Sequence, residues 1–108
     1  MANVFKLATK ANVGVTTVGI YTAPMSTTST VIGITLANVS GSGINVTVGI
    51  ARSVSDNINI LKNVPIPQGS TLEVMQGNKI VLEQADYVTA KSDVNSSLDV
   101  AVTVLEMT

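Results

Sequence analysis

Residues 30–52 restrict the fold of this chain more than any other stretch. Both halves of it alternate apolar residues with small or polar ones, a period of two that gives each half one apolar face. The apolar positions are Ile32, Ile34 and Leu36 in the first half and Ile44, Val46, Val48 and Ile50 in the second. Residues 40–43 (Ser-Gly-Ser-Gly) have the length and glycine content of a hairpin loop. We therefore predict two antiparallel strands, paired as a hairpin with one face on a core.

The rest of the chain repeats this pattern in shorter pieces. Val, Ile and Thr together exceed a third of the residues, and such β-branched side chains suit a pleated sheet. Polar or proline-containing turns recur at a spacing of roughly 8–12 residues, as in sandwiches and barrels. The fold class is therefore all-β: a single antiparallel β-sandwich, jelly-roll-like or Ig-like, of about eight short strands. Further strands are predicted within 13–22, 58–64, 71–75, 79–82, 87–91 and 98–107.

Six side chains are predicted to form the centre of the core, and one strand breaks its own pattern. The six are Ile34, Leu36, Val46, Val48, Val100 and Val102. In the last strand, the apolar neighbours Val104 and Leu105 interrupt the alternation, which predicts a bulge or burial on both faces.

Composition excludes most catalytic chemistry. The chain has neither histidine nor cysteine, so Ser-His-Asp and Cys-His nucleophiles and ordinary zinc sites are impossible. Residues 93–97 resemble the opening of a calcium loop, but Leu98 and Val104 stand where that loop needs Gly and Glu. We therefore expect no enzyme activity, and no catalytic, cofactor-binding or metal-binding residues.

Charge and hydropathy exclude several partners. The formal net charge is −1, and no polybasic cluster marks a nucleic-acid surface. No apolar run approaches the ~18 residues of a membrane-spanning helix. The first residues lack the apolar segment of a signal peptide, which favours synthesis and folding in a reducing cytoplasm. We expect no nucleic acid, membrane or small-molecule substrate among the ligands.

The distribution of charge points to covered strand edges. No charged residue lies between Lys10 and Arg52. Exposed strand edges are normally protected by charge, proline or bulges, so an uncharged β-rich stretch indicates edges covered within the fold or by another chain.

The N-terminal segment is the candidate contact region. We divide the chain into an N-terminal arm or first strand, residues 1–10, and a β-sandwich domain, residues 11–108. Phe5 is predicted either to pack in the core or to anchor a partner. In the second case the partner-binding residues are Val4, Phe5, Lys6, Leu7 and Lys10.

Several turns and strands resemble one family. They are Ile20-Tyr-Thr-Ala-Pro24, residues 32–38, Val64-Pro-Ile-Pro-Gln-Gly-Ser-Thr-Leu-Glu-Val74, residues 79–88 and residues 98–107. Their order over roughly residues 13–107 is similar to that of small β-sandwich virion proteins of tailed bacteriophages. Many such relatives carry Gly-Asp where this chain has Ala85-Asp86, so the turn there is expected to differ.

The resemblance implies a structural role. It implies a virion protein, foremost a capsid decoration (cement) protein that binds the outer surface of a phage head and stabilises it. Its partners would be the major capsid protein or other virion proteins, and it would form a homo-oligomer. The alternatives are a tail or baseplate component, or a small carbohydrate-binding or adhesin-like β module.

Overall fold

The structure, a computed structural model, describes residues 3–52, 57–75 and 79–107. These residues form nine strands and no helix, in two antiparallel sheets packed as a sandwich. The strands are β1 Asn3–Val13, β2 Val18–Thr22, β3 Thr28–Asn38, β4 Ile44–Ala51, β5 Asn57–Ile66, β6 Thr71–Glu73, β7 Ile80–Leu82, β8 Tyr87–Ser92 and β9 Leu98–Met107. The predicted all-β sandwich is confirmed. The described residues contain no helix that could span a membrane.

The strand pairs are nested, with β4–β5 as the innermost pair. β4 pairs with β5, β3 with both β6 and β7, β2 with β8, and β1 with β9. Folding this nested set over itself brings β9 beside β3 and β8 beside β4. The sheets thus read β1-β9-β3-β6, with β7 also on β3, and β2-β8-β4-β5. With β6 and β7 taken as one interrupted strand, this is the jelly-roll arrangement of the two predicted variants.

The core lies between the sheets and is made almost wholly of aliphatic side chains. The six predicted core residues are at most 3 % exposed, and Ile44 and Ile50 are also buried. β9 alternates strictly between buried and partly buried positions along its whole length. Because β9 lies between β1 and β3, its inward valines meet the other sheet while its backbone is bonded on both sides.

The predicted hairpin of residues 30–52 is wrong in its pairing. Both halves are strands with their apolar faces on the core, but β3 belongs to the five-stranded sheet and β4 to the four-stranded one. The link between them crosses from one sheet to the other, and a buried Asn38 organises it. The Asn38 amide donates to the carbonyls of Ser42 (2.8 Å) and Ile66 (2.9 Å), and its Oδ1 accepts from the Ser40 amide (2.9 Å).

The break in alternation is also resolved differently from the prediction. In β9, Val104 faces inward and Leu105 outward without interruption. The irregularity lies in the partner strand: Val31 and Gly33 face consecutive residues of β9, so Ile32 is the extra residue of a bulge. Because of the bulge, Ile32 does not face the core as its sequence pattern predicted. Val31 takes the buried position instead.

The first two strands differ from the predictions in where they begin and end and in their burial. The strand predicted within 13–22 begins at Val18, because Val13 ends β1. The N-terminal segment is ordered as the edge strand β1, and Phe5 is 70 % exposed, so the prediction that Phe5 packs in the core is wrong.

The turn at Ala85-Asp86 holds an alanine in a conformation that favours glycine. Ala85 has φ +72°, a left-handed conformation that glycine adopts without cost. Asp86 is buried, and its Oδ2 accepts from the Glu83 amide at 3.0 Å, which fixes the turn.

We predict that Leu36→Ala lowers the free energy of unfolding by roughly 2–5 kcal/mol, because Leu36 is fully buried and its loss leaves a cavity. Ile32→Ala, on the same strand but outside the core, is the matched control and should cost clearly less. Urea denaturation of both variants measures the difference. Equal losses would contradict the bulge assignment.

We predict that Ala85→Gly raises the free energy of unfolding by about 0.5–1 kcal/mol, since relief of a left-handed alanine outweighs the added entropy of the unfolded chain. Gly69→Ala is the reciprocal control: Gly69 has φ +73° and no atom within 4 Å of an added Cβ, so only backbone strain opposes it. Thermal denaturation should show opposite shifts for the two variants. A loss of stability in Ala85→Gly would contradict the prediction.

Candidate functional site

The five predicted partner-binding residues all lie on β1, on its two opposite faces. Register with β9 places Phe5 opposite Leu105 and Leu7 opposite Thr103, on the outer face of the five-stranded sheet. Val4, Lys6 and Lys10 point to the side that faces the other sheet. All five are exposed, Val4 by 45 %, Phe5 by 70 % and Leu7 by 66 %.

A row of side chains crosses the outer face from Phe5. Phe5 lies opposite Leu105, Leu105 opposite Thr30, and Thr30 opposite Val81, so the row spans β1, β9, β3 and β7. Val81 is 59 % exposed. We call Phe5, Leu7, Leu105 and Val81 the outer apolar face. Phe5, Leu7 and Val81 are exposed, Leu105 is partly buried, and Thr30 separates Leu105 from Val81. Apolar side chains grouped on one face of a sheet are typical of contact surfaces, whereas isolated ones need no explanation.

A buried polar cluster lies on the opposite side of the same strands. The Tyr21 hydroxyl, from β2 in the other sheet, donates to Glu106 Oε2 at 2.5 Å and lies 2.7 Å from Ser29 Oγ. Lys6 Nζ lies 3.1 Å from Glu106 Oε1. Glu106 therefore ties the edge strand β1 to β9 and, through Tyr21, to the second sheet.

The contacts within this cluster shift the pKa values of Glu106 and Tyr21. Hydrogen bonds from Tyr21 and Lys6, with the charge of Lys6, hold the pKa of Glu106 below its ordinary value of 4.5, although burial opposes this. Burial first, and then the hydrogen bond to Glu106, raise the pKa of Tyr21 to about 12. Both shifts keep Glu106 ionised and Tyr21 protonated across the neutral range.

The outer face of the four-stranded sheet is polar. A depression of about 330 Å³ there is lined by Thr17, Thr47, Asn59, Lys62, Asn63, Thr89 and Lys91. The three aromatic residues do not converge on it. Tyr87 lies at its margin, Tyr21 is tied up between the sheets, and Phe5 is on the far side of the sandwich. A stacking platform for a sugar ring is therefore not assembled from these residues.

Five other charged side chains, Arg52, Glu83, Asp86, Asp93 and Asp99, make hydrogen bonds in or near the turns. Arg52 donates to Glu83 Oε1 at 2.5 Å and to Asp86 Oδ2 at 3.3 Å. In the calcium-like stretch, Asp93 accepts from the Asn45 amide at 2.9 Å, and nearby Asp99 accepts from that of Asn12 at 3.0 Å. Within the described ranges, no group of three or more acidic residues could hold a metal ion.

Sequence reasoning found the β1 part of the outer apolar face but missed the rest. Leu105 and Val81 lie on other strands, and only the register of β9, β3 and β7 brings them into one row with Phe5. The Tyr21–Glu106 contact joins residues far apart in sequence across the two sheets. Its one signal was a glutamate at an inward position of the alternating last strand.

Comparison with known proteins supports the fold and nothing finer. No family model and no curated protein matches this sequence. Among solved structures, the chain is similar to Bacillus endospore appendages, described as disulfide-linked pili. The TM-score is 0.60 at 15 % identity, over 98 % of this chain and 88 % of that one.

The similarity to a second solved structure is weaker. This is the structure of infectious bursal disease virus, Gx strain, with a TM-score of 0.49 and 11 % identity over 94 % of this chain. This chain covers 37 % of that one. At 15 % identity the likeness to the pilus structure shows a shared fold.

We predict that acid weakens the protein partly through Glu106. Because its folded pKa is depressed, its contribution is present above the ordinary value of 4.5 and is lost as the pH falls through the folded pKa. Glu106→Gln keeps an acceptor for Tyr21 but loses the ionisable group, so its stability should fall less steeply below pH 4.5. Urea denaturation at a series of pH values from neutral downwards measures the free energy of unfolding. An equal loss of stability with falling pH in Glu106→Gln and in the wild type would contradict the prediction.

Proposed function

We propose that this protein is a structural subunit of a virion, and specifically a capsid decoration protein that binds the outer surface of a phage head. The observation that carries the proposal is the outer apolar face. It is formed by strands of a hydrogen-bonded sheet, so its residues are held in a fixed array without any ligand. A preformed array loses little conformational entropy on docking, which suits repeated binding to a particle.

The chemistry of the surface favours a protein partner. Phe5 and Leu7 supply exposed apolar area, and aromatic side chains are enriched in protein–protein contacts. The proposed role requires no catalytic group, which agrees with a chain that has no histidine or cysteine. The partner would be the major capsid protein, or another virion protein if the subunit belongs to the tail or baseplate.

The copy number separates these two locations. Quantitative mass spectrometry of purified particles should give copies in proportion to the major capsid protein if the subunit decorates the head. A small fixed number per particle would place it in the tail.

A second candidate is a subunit of a self-assembled fibre. The observation that favours it is the likeness to the pilus structure, which covers 88 % of that chain. This chain has no cysteine, so its subunits could not be joined by disulfides. Electron micrographs of the purified protein at high concentration would show filaments in this case, whereas a decoration protein should form small oligomers only.

We predict that Phe5→Ser combined with Leu7→Ser weakens binding to heads by about 30-fold or more, the effect of losing one binding hot spot. Both side chains are exposed, so the fold should survive. Ile58→Ser, an equally apolar change at a side chain 50 % exposed on the other sheet, is the matched control and should bind normally. Cosedimentation with heads that lack the protein measures this. Unchanged binding by the double variant would exclude the outer apolar face as the docking surface.

A further inference from the structure

The free edge of β1 differs from every other sheet edge in the described residues. β1 pairs with β9 without interruption from Asn3 to Lys10, and its other side has no strand partner. Nearly all its residues are exposed, with only Ala8 partly and Val13 fully buried. Ordering a residue costs about 1–2 kcal/mol of backbone entropy, and a hydrogen bond returns about 1. A strand with so little burial is therefore only marginally stabilised by its own sheet.

The remaining edges carry devices that prevent pairing. β6 and β7 have three residues each, and β2 has five with a register shift. β5 is long, but its pairing with β4 shifts register twice, and it contains Lys62, Pro65 and a left-handed Asn63. Short strands, bulges, lysine and proline are the usual protection of edges. β1 has neither proline nor bulge from Asn3 to Lys10; of its two lysines, Lys6 is turned inward onto Glu106 and Lys10 is exposed at the last position of the regular pairing, which leaves the edge before it open.

We propose that a second copy of this chain pairs antiparallel with β1 through the same strand, about a twofold axis at Leu7. The inference rests on the proposed function in one respect, that β1 is a contact surface, and it names the occupant of its edge. A regular edge of eight residues needs a partner edge of similar length. Among the described strands of this chain, only β1 itself offers one.

The register follows from strand length and charge. In an antiparallel pair, residues directly opposite each other point to the same side of the sheet. If the outer faces of both copies lie on one side, the twofold axis must therefore pass through a single residue and not between two residues. An axis at Lys6 sets Lys6 against its own copy, and one at Ala8 sets Lys6 against Lys10, so both juxtapose like charges. Within the described residues, an axis at Phe5 would pair only residues 3–7.

The axis at Leu7 avoids these costs and uses the whole regular strand. It pairs residues 3–11 and stops before Asn12, whose φ of +58° ends regular pairing. Leu7 then meets the partner copy's Leu7, and Lys10 meets Val4. The two sheets become continuous, and Phe5 and Leu7 of both copies form one larger apolar surface.

A single introduced cysteine tests the pairing, because the chain has none of its own. Opposed Cβ atoms across a strand pair lie about 4.5–5.5 Å apart, within reach of a short bis-maleimide. Leu7→Cys should therefore cross-link to a dimer in high yield. Thr9→Cys, four positions from its opposing copy, and Thr103→Cys, on β9, are the controls and should remain mostly monomeric. A monomeric wild type by analytical ultracentrifugation, or equal cross-linking at all three positions, would overturn the proposal.

A charge exchange tests the register independently. Val4→Lys sets the introduced ammonium group of one copy against Lys10 of the other, and should weaken the dimer by about fivefold through its two symmetric pairs. The change should not harm the monomer, because residue 4 lies opposite Glu106. Adding Lys10→Glu restores opposite charges across the axis and should return the dissociation constant to near the wild-type value. Failure of this rescue would exclude the axis at Leu7.

These outcomes are separable from those for particle binding. Phe5→Ser with Leu7→Ser tests the outer apolar face on heads, whereas cross-linking and ultracentrifugation need the purified protein alone. A dimer that does not bind heads would refute the decoration role and leave the pairing intact. A monomer that binds heads would refute the pairing alone.

Discussion

The sandwich depends on two aliphatic faces that are closed at both ends by buried hydrogen-bonded groups. At the end where β3 starts, Tyr21 of one sheet bonds Glu106 and lies against Ser29 of the other. At the opposite end, Asn38 holds the crossing between the sheets. Among the described residues, no buried side-chain polar atom lacks a partner. Because an unsatisfied buried polar group costs about 1–3 kcal/mol, these clusters favour one relative placement of the sheets.

The alternation of single strands could be read from the sequence, but their pairing could not. Inward positions of β4 and β9 were predicted correctly because a period of two is a local property. The glycine-rich residues 40–43 gave a hairpin signal, yet the chain there changes sheets. What decides between a hairpin and a crossing is the amide of Asn38 and its distant acceptor, the carbonyl of Ile66. Ile32 was misplaced for a similar reason, since a bulge arises from the register of two strands.

The candidate site, too, could be predicted from the sequence only in part. Five residues of β1 were predicted as partner-binding, and the structure places them exposed on one edge strand. The remainder of the outer apolar face required tertiary register, which a single sequence does not contain. The left-handed conformation of Ala85 was not predicted, because an alanine in a turn gives no local sign of a positive φ.

The uncharged stretch between Lys10 and Arg52 now has a physical account within the fold. β3 and β4, which make up much of it, are interior strands whose backbones are bonded on both sides, so they need no charge to guard an edge. β2 is an edge strand, but it is short and its register shifts. Gly49 shows how closely β4 is enclosed, because an added Cβ would collide with the carbonyl oxygen of Ile58. The absence of charge is thus explained by internal pairing for these strands. It leaves β1, which carries Lys6 and Lys10, as the long edge whose pairing the fold does not complete.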